Sequence, residues 1–448
     1  MMTLAEVASV LNAPCTENFE LHGVCIDSLQ VKPGNLFIAI KGDRFDGHDY
    51  IKKAVDNGAV AVICEKQIED VPVPQLLVKN TIDALAKVAE KHRLKFTCAV
   101  IALTGSNGKT TVKEMIASIL PKPSYSTQGN YNNHIGAPLS VLNLNSEHRY
   151  AVFELGANHQ GEIAHTVSIV KPKVTLINNI APAHIEGFGS IDGVAIAKGE
   201  IHQGLAVGGT AVINDDDDYA HYWDSLLEGK NTVHFSVEEP KDVYTRDLTF
   251  TEDGRAQFLL VTPKGECNIA LNVFGRHSVS NALAAASCAY ALGISMSDIQ
   301  AGLNAFGGVS GRMTRLVGKH GAVIIDDTYN ANLKSVLSAL DVLAKMKGRR
   351  VLVLGDMGEL GDHTRSHHQK VGQAAKELGV DEVYTCGTDS KHASDTFGDA
   401  GQHFEDQEAL ISVLSKDLDS QTTILVKGSR SAAMEKVVHG LMDVNEAS

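Results

Sequence analysis

The chain has no Cys-x-x-Cys pair, no Lys/Arg-rich tract, no apolar run approaching a membrane span, and no repeat or low-complexity segment. Each absence excludes something. The seven cysteines, Cys15, Cys25, Cys64, Cys98, Cys267, Cys288 and Cys386, are scattered and odd in number. Neither a disulfide framework nor a thiolate metal site is expected from them, and a reducing, cytoplasmic setting is. Lys and Arg number 40 against 54 Asp and Glu, a net charge of −14, which argues against a nucleic-acid partner. Phosphate substrates stay open, because they need only a few local cations. No membrane span is expected. Met1–Glu6 lacks a basic stretch leading into an apolar core, so no signal peptide is expected either. No Ser/His/Asp or Cys/His nucleophilic constellation is evident.

What is present reads as a soluble α/β protein. A length of 448 residues exceeds one hydrophobic core, so several domains are expected. Three blocks emerge, 1–96, 97–312 and 313–448. The first carries strands at 35–40 and 59–64 and a helix near 81–93. The second has strands at 98–103, 151–155, 174–180 and 210–214 alternating with helices, which predicts a largely parallel sheet. A polar stretch with β-type alternation, 231–273, forms a β-rich extension before an Ala-rich helix at 278–292. The third block restarts with strands at 322–326, 351–354, 382–386 and 423–426, a small doubly wound, Rossmann-like domain. The run Asp215–Asp218 reads most simply as a solvated loop.

Chemistry concentrates at the carboxyl ends of strands, where open α/β sheets bind ligands. Thr104-Gly105-Ser106-Asn107-Gly108-Lys109-Thr110-Thr111 lies between a buried strand and a helix start. That context makes a phosphate cradle: backbone N–H groups face the anion, Lys109 adds charge, and the Thr110 hydroxyl can ligate Mg²⁺. A strict P-loop would place glycine at Leu103; here the first glycine comes two residues later, at Gly105. Glu154 ends the next strand and can join Thr110 at a Mg²⁺ ion or cap the following helix. Asn178 and Asn179 end another strand. His184, in the loop beyond, is a surface histidine or a metal or substrate contact. Lys198 falls on the apolar stripe Ile191, Val194, Ala195, Ile201 and Leu205 of a helix expected over 190–205. A lysine there either snorkels to solvent or, if buried, must lose its charge, find an anion or be modified. Asn281, expected in the first turn of its helix, can read a base edge, with Ser278 or Ser280 able to cap. Arg312, at the junction of blocks two and three, can donate bidentately to phosphate oxygens. Asp326–Asn332 brings carboxylates, amides and Tyr329 to another strand end.

Together these segments resemble the Mur ligases, the ATP-dependent amide-forming enzymes of peptidoglycan synthesis. The matching pieces are Thr104–Thr111, Asn130–Gly136, Glu154-Leu155-Gly156, the His184 loop, Lys198-Gly199-Glu200, Gly275–Asn281, Gly311-Arg312 and Asp326–Asn332. The double Asn in Asn130–Gly136, Asp327–Asn332, Leu354–Gly361 and Val426–Arg430 resemble the branch that adds a dipeptide. Asp27-Ser28, Pro33–Gly42 and Asp46-Gly47-His48 are similar to its UDP-sugar-binding domain.

The resemblance implies ATP and Mg²⁺ as cofactors and UDP-N-acetylmuramoyl-tripeptide and D-alanyl-D-alanine as substrates, in a cytoplasmic monomer serving cell-wall growth, shape and division. It implies that Thr104–Thr111 with Lys109 hold the ATP phosphates, and that Thr110, Glu154, His184 and a carbamylated Lys198 serve the metals. Asn281, Asp327, Tyr329 and Asn332 would meet adenine and ribose, and Arg312 the γ-phosphate. Ser28, Phe37, Lys41, Asp46, Gly47, His48, Asn130, Asn132 and Asn133 would meet the UDP substrate; Asp356, Lys427 and Ser429 would meet the dipeptide. The tripeptide carboxylate would take the γ-phosphoryl group, and the dipeptide amine would then displace phosphate. Two positions depart from the pattern. Leu29 replaces the Arg usual after Asp-Ser, removing a UDP contact, and Leu333 replaces a Pro, which predicts a looser loop. Rival expectations are a sibling ligase adding one amino acid, a folylpolyglutamate synthetase-like ligase, and a nucleotide-regulated binding protein.

Overall fold

The computed structural model describes residues 2–42, 45–182, 185–252 and 254–443, with backbone alone at Ile185 and Glu186. Three mostly parallel sheets organise the chain, as the α/β alternation predicts. The first runs Gly23–Cys25, Asn35–Ile38, Ala59–Cys64, Gln75–Leu77, all parallel. Its second strand is buried at every position, as expected of a continuous apolar run covered on both faces.

The nine-stranded second sheet has Ala99–Thr104 between Val174–Ile177 and Tyr150–Glu154. Ser124–Ser126 lies outside Tyr150–Glu154. On the other side the sheet continues through Thr210–Asn214, Asn231–Ser236 and Val243–Phe250, still parallel, into the antiparallel strands Arg255–Thr262 and Gly265–Phe274. The β-rich stretch therefore extends the sheet. Because the chain leaves Ala99–Thr104 first to one side and later to the other, a crevice opens at that strand's carboxyl end. The helix Lys109–Ile119 follows, burying Val112, Met115, Ile116 and Ile119 at helical spacing.

The third sheet is six-stranded, and its order is Thr314–Val317, Val323–Asp327, Thr422–Lys427, Arg349–Gly355, Glu382–Cys386, Gly401–Phe404. Its two edge strands were not legible as strands, being short and polar, and the first is antiparallel.

Packing joins the first two sheets more closely than it joins the third to either. A single apolar cluster joins Leu36 and Leu85 of the first block to Val141, Phe153 and Val194 of the second. Arg93 stitches the same junction, its buried Nε donating to Val170 O at 2.8 Å and its Nη1 to Phe96 O at 2.8 Å. The third sheet packs around Leu340, Leu354 and Val371 on one face, a cluster that also takes in Phe274 from the last strand of the second sheet, and around Val353, Ile424 and Val437 on the other. It is reached through a segment with positive φ at Gly308 (101°), Gly311 (71°) and Met313 (54°).

Two expectations are corrected. The helix expected over 190–205 is α-helical over Ile191–Gly199 and tightens to 3₁₀ over Glu200–Gly204. The change falls where the Glu200 carboxylate turns away to accept from Gly161 N (2.6 Å) and Ala164 N (2.9 Å) at the start of another helix. The acidic run is not merely solvated. Asp215 pairs with His234 (2.8 Å) and Lys241 (3.0 Å), Asp216 accepts from Val237 N (2.6 Å), and Asp217 accepts from Ile180 N (2.9 Å).

His202 provides a test of the packing. Its ring is fully buried, Nδ1 lies 2.9 Å from Thr175 Oγ1, and Nε2 has no partner. Burial, then the charge of Lys230, push its pKa down to about 3. The unfolded chain takes a proton near the ordinary value of 6.5 that the folded form refuses. The resulting stability is complete above that pH and is lost as pH falls toward 3. Guanidinium titrations should show wild-type stability dropping by up to roughly 1.4 kcal/mol per pH unit below about pH 6.5, with a shallower acid limb in His202→Gln. Equal slopes would contradict a buried, neutral imidazole.

Candidate active site

The phosphate loop is held from one side by the strand-exit segment 178–181. Ser106 N donates to Asn179 O and Asn107 N to Asn179 Oδ1, both at 2.9 Å. Asn178 Nδ2 donates to Asn107 O and to Asn281 Oδ1, both at 3.0 Å. Ser106 Oγ donates to Ala181 O at 3.0 Å and accepts from Ala181 N at 2.9 Å. Gly108 has φ 77°, and a Cβ there would stand 2.6 Å from Asn281 Oδ1. Only glycine fits so close an approach at that φ.

Charge is buried here with little to balance it. Lys109 Nζ donates to Gly105 O at 2.8 Å. Burial lowers its pKa, the Glu154 carboxylate opposes that, and Arg312 adds to it. Lys198 is 2 % exposed, so it does not snorkel, and burial followed by the charge of Lys109 holds its pKa well below the ordinary lysine range. Glu154, 3 % exposed, accepts from Asn132 Nδ2 at 2.8 Å through Oε1, while the buried Oε2 has no partner. Arg312 lies 4.1 Å from the centroid of the Tyr329 ring and donates to Thr110 Oγ1 at 3.0 Å. An unpaired carboxylate oxygen and a hydroxyl suit a hard cation, Mg²⁺ above all. Among the described residues no group of three His, Cys, Asp or Glu forms a metal cluster, so such an ion would lean on phosphate oxygens and water as well.

A cavity of about 1190 Å³ spans the second and third blocks. It brings together Ser106, Asn107, Gly108, Lys109 and Thr111 with Asn130, Asn132, Asn133, Glu154, Asn281, Arg312, Asp327, Tyr329, Asn332, Lys427 and Ser429. Asn332 reaches across to the phosphate loop, its Nδ2 donating to Asn107 Oδ1 at 2.7 Å. His184 lies outside the described residues.

Other expected contacts fall elsewhere. Ser28, Phe37, Lys41, Asp46, Gly47 and His48 do not line this cavity. Phe37 is wholly buried in the covered strand of the first sheet and has no face for a ligand. His48 is 4 % exposed; its Nδ1 pairs with Asp46 at 2.6 Å and its Nε2 accepts from Glu65 N at 2.9 Å, so both side chains brace a turn. Leu29 is 77 % exposed. Asp356 also lies off the cavity wall, because its carboxylate accepts from Thr388, Asp389 and Ser390 N at 2.7–2.9 Å. Lys427 Nζ is engaged by Asp327 Oδ2 (2.6 Å) and Asn330 O (2.9 Å). Asn281 sits in the second turn of a helix that starts at Arg276, not in its first. The loop at Leu333 is not loosened: Asn332 N-caps the helix Leu333–Leu343 in a capping box with Ser335. Sequence reasoning missed Asn214, Asp217 and Lys334 on the cavity wall. Only the acidic run offered a signal, and solvation was the simpler reading of it.

Three family patterns match in succession. "Mur ligase family, catalytic domain" matches residues 20–93, "Mur ligase middle domain" 103–289, and "Mur ligase, glutamate ligase domain" 311–430. UDP-N-acetylmuramoyl-tripeptide–D-alanyl-D-alanine ligase of Escherichia coli (strain K12) is 43% identical over 447 residues, covering 99% of this chain and 98% of the relative. The chain belongs to the Mur ligase family. The Bacillus subtilis (strain 168) ligase of the same description is 31% identical, covering 98% of this chain and 96% of the relative. Among solved structures, MurF from Acinetobacter baumannii superposes on this Mur ligase with a TM-score of 0.91 at 35% identity, covering 98% of both chains. MurF ligase from Thermotoga maritima in complex with ADP gives 0.82 at 28% identity, covering 93% of this chain and 96% of that one.

The approach of Asn281 to Gly108 makes this Mur ligase intolerant of a side chain there. Gly108→Ala should cost about 1–3 kcal/mol of loop strain and weaken ADP binding by about tenfold or more in calorimetry. Wild-type affinity would contradict the geometry.

Proposed function

We propose that the chain joins D-alanyl-D-alanine to UDP-N-acetylmuramoyl-tripeptide, driven by ATP and releasing ADP and phosphate, in peptidoglycan precursor synthesis. The observation that carries this reading is the shared cavity, where the phosphate loop with Lys109 and Glu154 face the edge of the third sheet. The enzyme is an ATP-dependent amide-forming ligase. We take it to be a cytoplasmic monomer of three domains, 1–96, 97–312 and 313–448, serving cell-wall growth and division.

The phosphate-loop N–H groups and Lys109 steady the β- and γ-phosphates as one tripeptide carboxylate oxygen attacks the γ-phosphorus. ADP leaves and an acyl phosphate forms. The dipeptide amine then attacks the acyl carbon, and phosphate departs from the tetrahedral intermediate. Mg²⁺ held by Thr110 and Glu154, and a second ion near His184, would offset charge on the transferring group. Arg312, kept over Tyr329, exchanges its Thr110 bond for a phosphoryl oxygen. Asn281, Asp327, Tyr329 and Asn332 hold the nucleoside. Asn130, Asn132 and Asn133 hold the peptide end of the UDP substrate, while Asn132 also aims Glu154. Ser429, on the cavity wall, receives the dipeptide.

Lys198 completes the charge balance. Its depressed pKa favours the neutral amine, the form that adds carbon dioxide, and the resulting carbamate would supply an anion beside Lys109.

Phosphate release with the UDP-tripeptide and ATP should require D-alanyl-D-alanine; turnover with a single amino acid and none with the dipeptide would overturn the assignment. Lys198→Ala should lose about 10²–10³-fold in kcat and regain part of it with a short carboxylate. ¹³C-labelled bicarbonate should give a carbamate resonance in the wild type and none in Lys198→Ala. Absence of both the rescue and the resonance would rule out carbamylation.

A further inference from the structure

Lys334 has no role in the chemistry above, yet it reaches from the third block into the second beside the phosphate loop. It occupies the first turn of the helix Leu333–Leu343, and its Nζ donates to Ile180 O at 3.4 Å. Ile180 N is held in turn by Asp217 Oδ2 at 2.9 Å, and Asp217 Oδ1 accepts from Tyr219 N at 3.1 Å. The Ile180 peptide is thus gripped from both ends, by a carboxylate of its own block and an ammonium of the other. Lys334 and Asp217 also attract each other through charge. The next residue, Ala181, exchanges two hydrogen bonds with Ser106 of the phosphate loop.

Other contacts between the blocks differ in kind. Asn332→Asn107 sits on a phosphate-loop group that a nucleotide would claim. Lys347–Glu252, at 3.0 Å, lies beyond the far end of the helix with both side chains about four-fifths exposed or more, where an ion pair contributes little. The Lys334 contact is partly buried and lies to one side of the phosphates, so it can persist when a nucleotide is bound.

We propose that Lys334 is a positioning residue. Its ammonium clamps the third block onto the Ile180–Asp217 pair and sets how often that block stands closed over the nucleotide. The clamp acts on the reaction proposed above and rests on that reading. It bonds no reacting atom, so it acts only through closure.

The experiment compares full-length wild type, Lys334→Met, Lys334→Arg, Lys347→Ala, Asp217→Asn and the Lys334→Met/Asp217→Asn double variant. Lys334→Met should lower kcat about tenfold, the scale of one charge-assisted hydrogen bond, with ADP affinity in calorimetry falling by no more than that factor, because Asp327, Tyr329 and Asn332 sit on the same block. Small-angle scattering with a non-hydrolysable ATP analogue and the UDP-tripeptide should show the wild type compacting and Lys334→Met remaining more extended. Lys334→Arg should restore both readouts, Lys347→Ala should match wild type, and the double variant should be no worse than Lys334→Met alone. Unchanged kcat and compaction in Lys334→Met would overturn the clamp. A loss of ADP affinity larger than the loss of kcat, or fully additive losses in the double variant, would overturn it too. If the wild type fails to ligate the dipeptide, the proposed reaction falls, while scattering still judges the clamp.

Discussion

Two lysine amines, Lys109 and Lys198, are buried within electrostatic reach of each other at the carboxyl end of the central sheet. Burying one ammonium is costly, and burying two adds their repulsion. Among the described residues the carboxylate that offsets Lys109 is that of Glu154, and one of its oxygens has no partner. Arg312 adds a third positive group. Such a site is strained electrostatically until anions enter it. The triphosphate and carboxylate of the proposed reaction, and the proposed carbamate, would bring negative charge to the same place, which is why the surroundings read as a phosphoryl-transfer centre and not as an inert core.

The rest of the fold keeps that charge in place. The phosphate strand lies where the sheet order reverses, and the neighbouring strand exit supplies amides that fix the loop backbone before any ligand arrives. The first block is fused to the second by a shared core and by Arg93. The third block has two apolar clusters, one of them shared with the second block only through Phe274 among its buried members, and a glycine-bearing connection. Mobility is therefore concentrated on one side of the cavity, the side that carries Asn332, Lys334 and Ser429.

Much of this was legible in the residues. The strand–loop–helix around Lys109, the buried position of Lys198 and the α/β rhythm of three blocks follow from periodicity and from the cost of burying charge. What failed to show depends on tertiary neighbours. Phe37 and His48 resemble ligand contacts in a motif, but the first sheet covers one and a turn occupies the other. Asp356 and Lys427 are polar residues at strand ends whose partners come from distant loops, Thr388–Ser390 and Asp327–Asn330. The acidic run looked solvated because its partners lie on separate strands or loops, among them His234, Val237 and Ile180. Lys334 gave no signal, since nothing local distinguishes it from a surface helix lysine.

The central claim is that the γ-phosphoryl group passes to a peptide carboxylate within the cavity between the second and third blocks. Oxygen transfer tests it most directly. With ¹⁸O in the terminal carboxylate of the UDP-tripeptide, ATP and D-alanyl-D-alanine in ordinary water, each turnover should release phosphate carrying one carboxylate oxygen. Phosphate with no ¹⁸O, formed at the same rate as product, would contradict the account.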